Sequence, residues 1–231
     1  LCQRLVDSGF GLFRLAVGTR TLHPQVIAIG YTGHRGEGEA TEILREHGTL
    51  ESPIYLDSPV KLIFDGAAEV RRRLEGPGAT LDFPILTELK EKGVTDYVAL
   101  PFAFSHGRRN AIMIATDRRG GFSNLELSTF RDLLPLFALV MEVKETQRIA
   151  RTLLDVYLGR DAGRRVLGGL VKRGDGVTIA AALWYCDLRG FTAMSEILPR
   201  DEVIELLNDY FSCMAAPVRA RGGEVLKFIG D

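Results

Sequence analysis

The runs YVALPFAF at 97–104 and AIMIAT at 111–116, with Ser105, His106 and Gly107 between them, decide the fold of the first half of this chain. Two apolar runs joined by turn-forming residues read as neighbouring antiparallel strands. A helix follows at once. Ser123-Asn124-Leu125-Glu126 has the capping-box form, in which the serine hydroxyl and the glutamate carboxylate satisfy free amides at a helix start. Leu127, Phe130, Leu133, Leu134, Phe137, Val140 and Met141 then recur at helical spacing. Pro135 predicts a kink or an irregular turn nearby. The pattern resumes through Val143, Ile149, Leu153, Leu154 and Leu158. A long helix therefore leads out of the first half, and it is suited to pairing with its copy, although its heptad is irregular.

Upstream, Leu1, Leu5, Val6 and Phe10 have helical spacing, and residues 12–17 alternate as a strand does. VIAIGY at 26–31 reads as a second strand, so the two form a candidate hairpin. The polar, glycine-rich stretch 34–39 reads as a loop, 42–47 as a short helix and 53–56 as a strand. VRRRL at 70–74 reads as a strand with Arg71, Arg72 and Arg73 toward solvent. Residues 85–92 read as a helix stopped by Gly93.

Downstream, glycines 168, 169, 174 and 176 surround a basic loop, and 177–185 is almost continuously apolar. That predicts a strand buried on both faces. Residues 192–198 read as a short helix. Val203, Ile204, Leu207, Tyr210, Phe211 and Met214 mark one face of a stronger one, ended by Gly222-Gly223. Residues 224–229 read as a strand that runs into a turn at Gly230-Asp231.

The chain has 231 residues, 46% hydrophobic and 26% charged, which suits one or two globular domains. Lysine and arginine number 29 against 30 for aspartate and glutamate, so there is no electrostatic case for nucleic acid or an anionic membrane. No apolar stretch is long enough to span a bilayer. Cys2, Cys186 and Cys213 are odd in number and far apart, which fits a reducing cytoplasm better than a disulfide framework. The chain opens on Leu1 and ends on Asp231, as expected of a piece of a longer protein.

Two aspartates stand out for chemistry. Asp187 ends an apolar run and precedes a glycine turn into a helix; Asp231 sits in a turn after another strand. Magnesium takes one or two carboxylates together with substrate phosphates. The turn at Gly190 brings the Phe191 and Thr192 amides to a helix start, where free amides and the helix dipole favour phosphate. On spacing alone a second reading stays open beside this one: strand-end aspartates often only cap the next helix. Cys186 should point away from Asp187 and fill core. His23, His34, His47 and His106 lack metal-ligand spacing.

WYCDLRGFTAMSE at 184–196 resembles the first strand and helix of class III nucleotidyl cyclases. The resemblance extends through LLNDYF, Gly222-Gly223 and KFIGD, and LLDVYLGRDAGRRVL resembles the lead-in helix of bacterial members. It implies that Asp187, Asp231 and the Leu188 carbonyl bind two Mg2+ or Mn2+ ions per active site. Gly190, Phe191 and Thr192 would hold the triphosphate. Lys227 would contact the purine, and lysine there resembles adenylyl rather than guanylyl cyclases. The implied substrate is ATP and the implied assembly a homodimer with shared sites. Further catalytic positions of the family lie beyond Asp231, so this stretch alone is expected to be inactive. A non-catalytic nucleotide-binding or dimerising signalling protein is the alternative.

Residues 1–142 resemble, more loosely, a GAF-type sensor domain, through the opening helix, the hairpin-like strands, the closing strand pair and the terminal helix. Such domains often bind a small molecule, whose identity the residues do not give. The expectation is thus an α+β chain: a GAF-like antiparallel sheet with helices at 1–142, a helical linker at 143–173, and the first part of a ferredoxin-like βαβ cyclase domain at 174–231. That last part is expected to adopt a non-productive arrangement, because an isolated strand-helix-strand segment buries too little to stand alone.

Overall fold

A computed structural model describes residues 2–22, 26–172, 182, 184–223 and 225. The chain divides into two compact units, Leu1–Ile149 and Ala150–Asp231.

The first unit is built on a six-stranded antiparallel sheet in the order β3-β2-β1-β6-β5-β4. Its strands are β1 (Arg14–Arg20), β2 (Val26–His34), β3 (Thr41–Glu46), β4 (Val70–Arg73), β5 (Asp96–Ala103) and β6 (Arg109–Thr116). The pair read first from the sequence is present, with Leu100 opposite Ile112 and Phe102 opposite Asn110. β1 closes the sheet centre by pairing with both β2 and β6. The opening helix α1 (Cys2–Asp7), the β1–β2 hairpin, the β5–β6 pair and the helix after β6 are the features on which the sensor resemblance rests, and all are present. The α+β class is what the sequence led us to expect.

Two apolar layers cover the sheet. Leu15, Val17, Leu100, Phe102, Ile112 and Ile114 face α1 and the long helix α5 (Asn124–Leu158), whose Leu127, Phe130, Leu134 and Ala138 complete that core. On the other face Tyr97, Ala99, Ala111 and Ala115 meet α3 (Pro59–Phe64) and α4 (Pro84–Glu91). The alternation along β5 and β6 feeds both layers, because successive side chains point to opposite faces. Burial holds the Tyr97 phenol far above its usual pKa.

The capping box at α5 is formed: the Ser123 amide donates to Glu126 Oε2 at 2.8 Å, and the Glu126 amide donates to Ser123 Oγ at 3.2 Å. The helix runs on through Pro135 without ending. It stops at Leu158, where Gly159 takes φ 84°, and α6 (Arg160–Leu167) follows.

Three local readings are corrected. Of residues 42–47, expected helical, 42–46 belong to the edge strand β3, whose ladder with β2 sets Glu42 opposite Tyr31, and His47 opens a 3-10 turn, His47–Glu51. Residues 53–56, expected extended, form the short helix α2 (Pro53–Leu56): Ser52 Oγ accepts from the Tyr55 amide at 3.4 Å, and Pro53 occupies the first turn, where a missing N–H costs nothing. The arginines of β4 are not simply solvated. Arg71 reaches the buried Asp96, and Arg72 reaches Asp82.

In the second unit, α6, α7 (Phe191–Ile197) and α8 (Arg200–Ala220) are formed, and α7 and α8 touch. α8 ends at the glycine pair, with Gly222 at φ 76°. The strand expected at 177–185 is corrected where it is described: Ala182 and Trp184–Leu188 have no strand structure, and Trp184 and Tyr185 are 61% and 80% exposed. Strands persist only when paired, and none pairs with these residues among those described. The strand expected at 224–229 lies outside the described residues save for Val225, which is not in a strand. No helix among the described residues is long and apolar enough to cross a membrane.

Candidate functional site

The turn from Asp187 to Thr192 is where the chemistry was expected. Gly190 adopts φ 76° and ψ 13°, the left-handed region that glycine enters without steric cost, and it stands just before the first residue of α7. The Phe191 amide donates to the Leu188 carbonyl at 3.2 Å, closing the turn, and the Met194 amide donates to the Gly190 carbonyl at 3.0 Å, opening the helix. The Asp187 carboxylate is exposed and accepts from the Leu188 amide at 3.0 Å. It accepts from no amide of α7, so the alternative of a helix-capping aspartate has no hydrogen bond behind it among the described residues.

This arrangement places Asp187 and the Leu188 carbonyl on one side of the turn sequence and Gly190, Phe191 and Thr192 on the other. Both Asp187 and the Leu188 carbonyl are hard oxygen donors, the chemistry that Mg2+ or Mn2+ takes, so the residues present fit one flank of such a centre. The Phe191 amide is already used within the turn. The Thr192 carbonyl accepts from Ser195 Oγ at 2.9 Å inside the helix. Lys227 and Asp231 lie outside the described residues. No cluster of three metal-ligating side chains occurs among the described residues.

Cys186 is exposed rather than core-filling. It lies beside Tyr210 of α8, and the nearness of its thiol raises the pKa of that phenol, with burial and then the Asp187 charge adding to the effect. The Tyr210 hydroxyl is closed off from solvent without a well-aligned partner, so it is the proximity of α8 to the turn, rather than a formed hydrogen bond, that stands. Tyr210 was read from the sequence only as part of a helix face. Its position at the site could not be read, because that depends on how α8 packs.

The first unit carries a separate cleft of about 450 Å3 between β5 and α5, lined in part by Ala68, Leu100, Phe102, Arg131, Leu134 and Ala138. Its walls are apolar apart from Arg131, whose guanidinium is paired with Glu69.

No family profile matches the chain. Over 61 residues it is 38% identical to an adenylate cyclase of Anabaena cylindrica, covering 26% of this chain and 12% of that protein. Over 61 residues it is 34% identical to an adenylate cyclase of Dictyostelium discoideum described as terminal-differentiation specific, covering 26% of this chain and 3% of that protein. About a quarter of the chain is thus similar to adenylate cyclases, and the common stretch is a small part of either of those proteins. Among solved structures, the GAF domain of a two-component sensor histidine kinase from Bacillus halodurans overlays with a TM-score of 0.41 at 15% identity, over 62% of this chain and 92% of that one.

Proposed function

We propose that the chain is part of a sensor-regulated adenylate cyclase, which converts ATP to 3',5'-cyclic AMP and pyrophosphate. The observation that carries the reading is the 61-residue similarity to adenylate cyclases in a chain that holds the Asp187–Thr192 turn. In this reading Asp187, the Leu188 carbonyl and Asp231 hold two Mg2+ or Mn2+ ions. When bound, the metals supply acidity to the ribose 3'-hydroxyl and neutralise charge on the phosphoryl oxygens. The turn residues Gly190, Phe191 and Thr192 position the triphosphate, and Lys227 donates to the adenine edge. Positioning and electrostatics carry the phosphoryl transfer.

The functional unit in this reading is a homodimer in the cytoplasm. Asp187 and Asp231 of one chain would complete a site with Lys227 of the other. The first unit is the sensor: its apolar cleft suits a small, mostly apolar ligand, and α5 carries the signal onward. The test is an assay of the full-length parent with ATP and Mg2+ or Mn2+. Cyclic AMP should appear, and Asp187→Ala should abolish it. No product from either would sink the reading in favour of a non-catalytic signalling protein, and equal product from wild type and Asp187→Ala would remove Asp187 from the site.

A further inference from the structure

Gly159 is the only residue between the end of α5 at Leu158 and the start of α6 at Arg160. The two helices meet closely there. A Cβ added to Gly163 would lie 3.1 Å from the Leu154 backbone and from Asp155 Oδ1, so a side chain at 163 would push α6 away. That approach gathers Arg151, Asp155, Arg160, Arg164, Leu167 and Gly168 around one cleft of about 620 Å3.

Three arginines and one aspartate line it. The guanidiniums of Arg151 and Arg160 have no hydrogen-bond or ion-pair partner among the described residues. Arg164 is weakly engaged: its Nε donates to the Arg160 carbonyl at 3.3 Å, and its Nη2 is 3.9 Å from Asp161. Asp161, the acid of α6 that could neutralise the cleft, is instead held at 2.7 Å by Arg165. Like charges gathered with so little compensation repel each other and are relieved by an anion. The Asp155 Oδ1 atom is buried without a donor. A buried acceptor in that state calls for a hydrogen-bond donor.

We propose that this cleft binds a small organic phosphate. The guanidiniums would take the phosphate oxygens, the geometry in which arginine is strongest. A hydroxyl or amine of the ligand would donate to Asp155, and Leu167 would cover its carbon skeleton. The volume suits such a ligand, since small-molecule pockets run from roughly 300 to 1,000 Å3. Nucleic acid and anionic membranes are poorer occupants. They need an extended basic surface, and the chain has a formal net charge of −1. The proposal uses no residue of the Asp187 turn and does not depend on the cyclase reading.

Isothermal titration calorimetry of the 231-residue chain with inorganic pyrophosphate tests it, with Arg151→Gln/Arg160→Gln/Arg164→Gln and a single-charge control on β3 of the first unit, Arg45→Gln. Saturable binding should weaken at least about tenfold in the triple variant and stay unchanged in the control. Circular dichroism matched to wild type shows that the triple variant is folded. A second variant, Gly163→Val, displaces α6 while leaving every charge in place, and it should also weaken binding. Equal binding by wild type and triple variant, or no saturable binding by wild type, overturns the proposal. So does loss, in the triple variant, of binding to phosphatidylserine vesicles without any binding of pyrophosphate.

Discussion

The guanidinium of Arg71 on β4 lies 2.7 Å from the carboxylate of Asp96 at the start of β5, and that carboxylate is fully buried. The same carboxylate accepts from the Phe122 amide at 3.0 Å, and Arg71 also donates to the Phe122 carbonyl at 2.8 Å. One ion pair therefore ties the edge strand to the loop that leads into α5. Gly121 makes this possible: at φ 68°, an added Cβ would fall 2.6 Å from Asp96 Cβ. Asp96→Ala should destabilise the chain by about 3 kcal/mol, at the lower end of what removing one partner of a buried pair costs, because Arg71 is partly exposed and can turn to water. Urea unfolding monitored by circular dichroism checks this. A shift corresponding to less than about 1 kcal/mol would mean that the pair is not holding the loop.

Acid should weaken the start of α5. Hydrogen bonds from Arg118 and from Ser123, working against burial, hold the Glu126 carboxyl at a pKa of about 2, below its ordinary 4.5. A depressed folded-state pKa gives stability that is present above the unfolded value and lost as pH falls through the folded one. The contribution should therefore be complete above pH 4.5 and gone near pH 2. Arg118 is 43% exposed, so solvent screening keeps the effect near 1 kcal/mol. Glu126→Gln should melt below wild type at pH 6, and the two melting curves should converge toward pH 2. Ser123→Ala should cost a further ~1 kcal/mol through the lost cap. A gap that does not change with pH would remove the titration argument.

What could be read from the residues follows from how local each signal is. The β5–β6 pair and the α5 cap are written in adjacent residues, so their reading needed no tertiary information. Strand β3 was missed because TEILRE is rich in helix formers, and only its ladder to β2 makes it extended. Helix α2 was missed because Ile54 and Tyr55 look β-like, while the deciding signals are Ser52 and Pro53 before them. Arg71 and Arg73 alternate onto one face, but Asp96, their partner, is 25 residues from Arg71 and invisible to pattern reading. At the site, the Gly190 turn was legible because a positive φ needs glycine. The exposure of Trp184 and Tyr185 was not, because an apolar run reports what a sheet would cover and not whether that sheet is formed.

Chemistry and stability should separate at the Asp187 turn. Asp187 is exposed, and its hydrogen bond in the structure is to the amide of its own neighbour. Asp187→Asn in the full-length parent should lower cyclic AMP formation by about a hundredfold or more, the scale of losing a metal carboxylate. The same change should move thermal stability by less than about 0.5 kcal/mol, as exposed substitutions do. Gly190→Ala should do the reverse in part, costing about 1–2 kcal/mol locally through its left-handed backbone. Paired melting curves and activity assays decide it. An Asp187→Asn protein that melts much lower would make the aspartate structural.

The homodimer reading makes its own demand on α5. Leu133, Leu136, Val140 and Val143 are 44%, 63%, 50% and 57% exposed, and they recur at spacings of three and four along one face of the helix. The opposite face, with Leu134 and Ala138, is packed on the sheet. A helix apolar on both faces has a second surface to cover, and the three-four spacing is that of a seam between paired helices. Leu136→Glu/Val140→Glu places two carboxylates in that seam. It should raise the dimer dissociation constant at least about tenfold, measured by sedimentation equilibrium. Because both side chains project into solvent in the single chain, the double variant should keep its circular dichroism spectrum. A wild type that stays monomeric at roughly 100 µM, or a variant that dimerises as well as wild type, would separate this helix from any shared site.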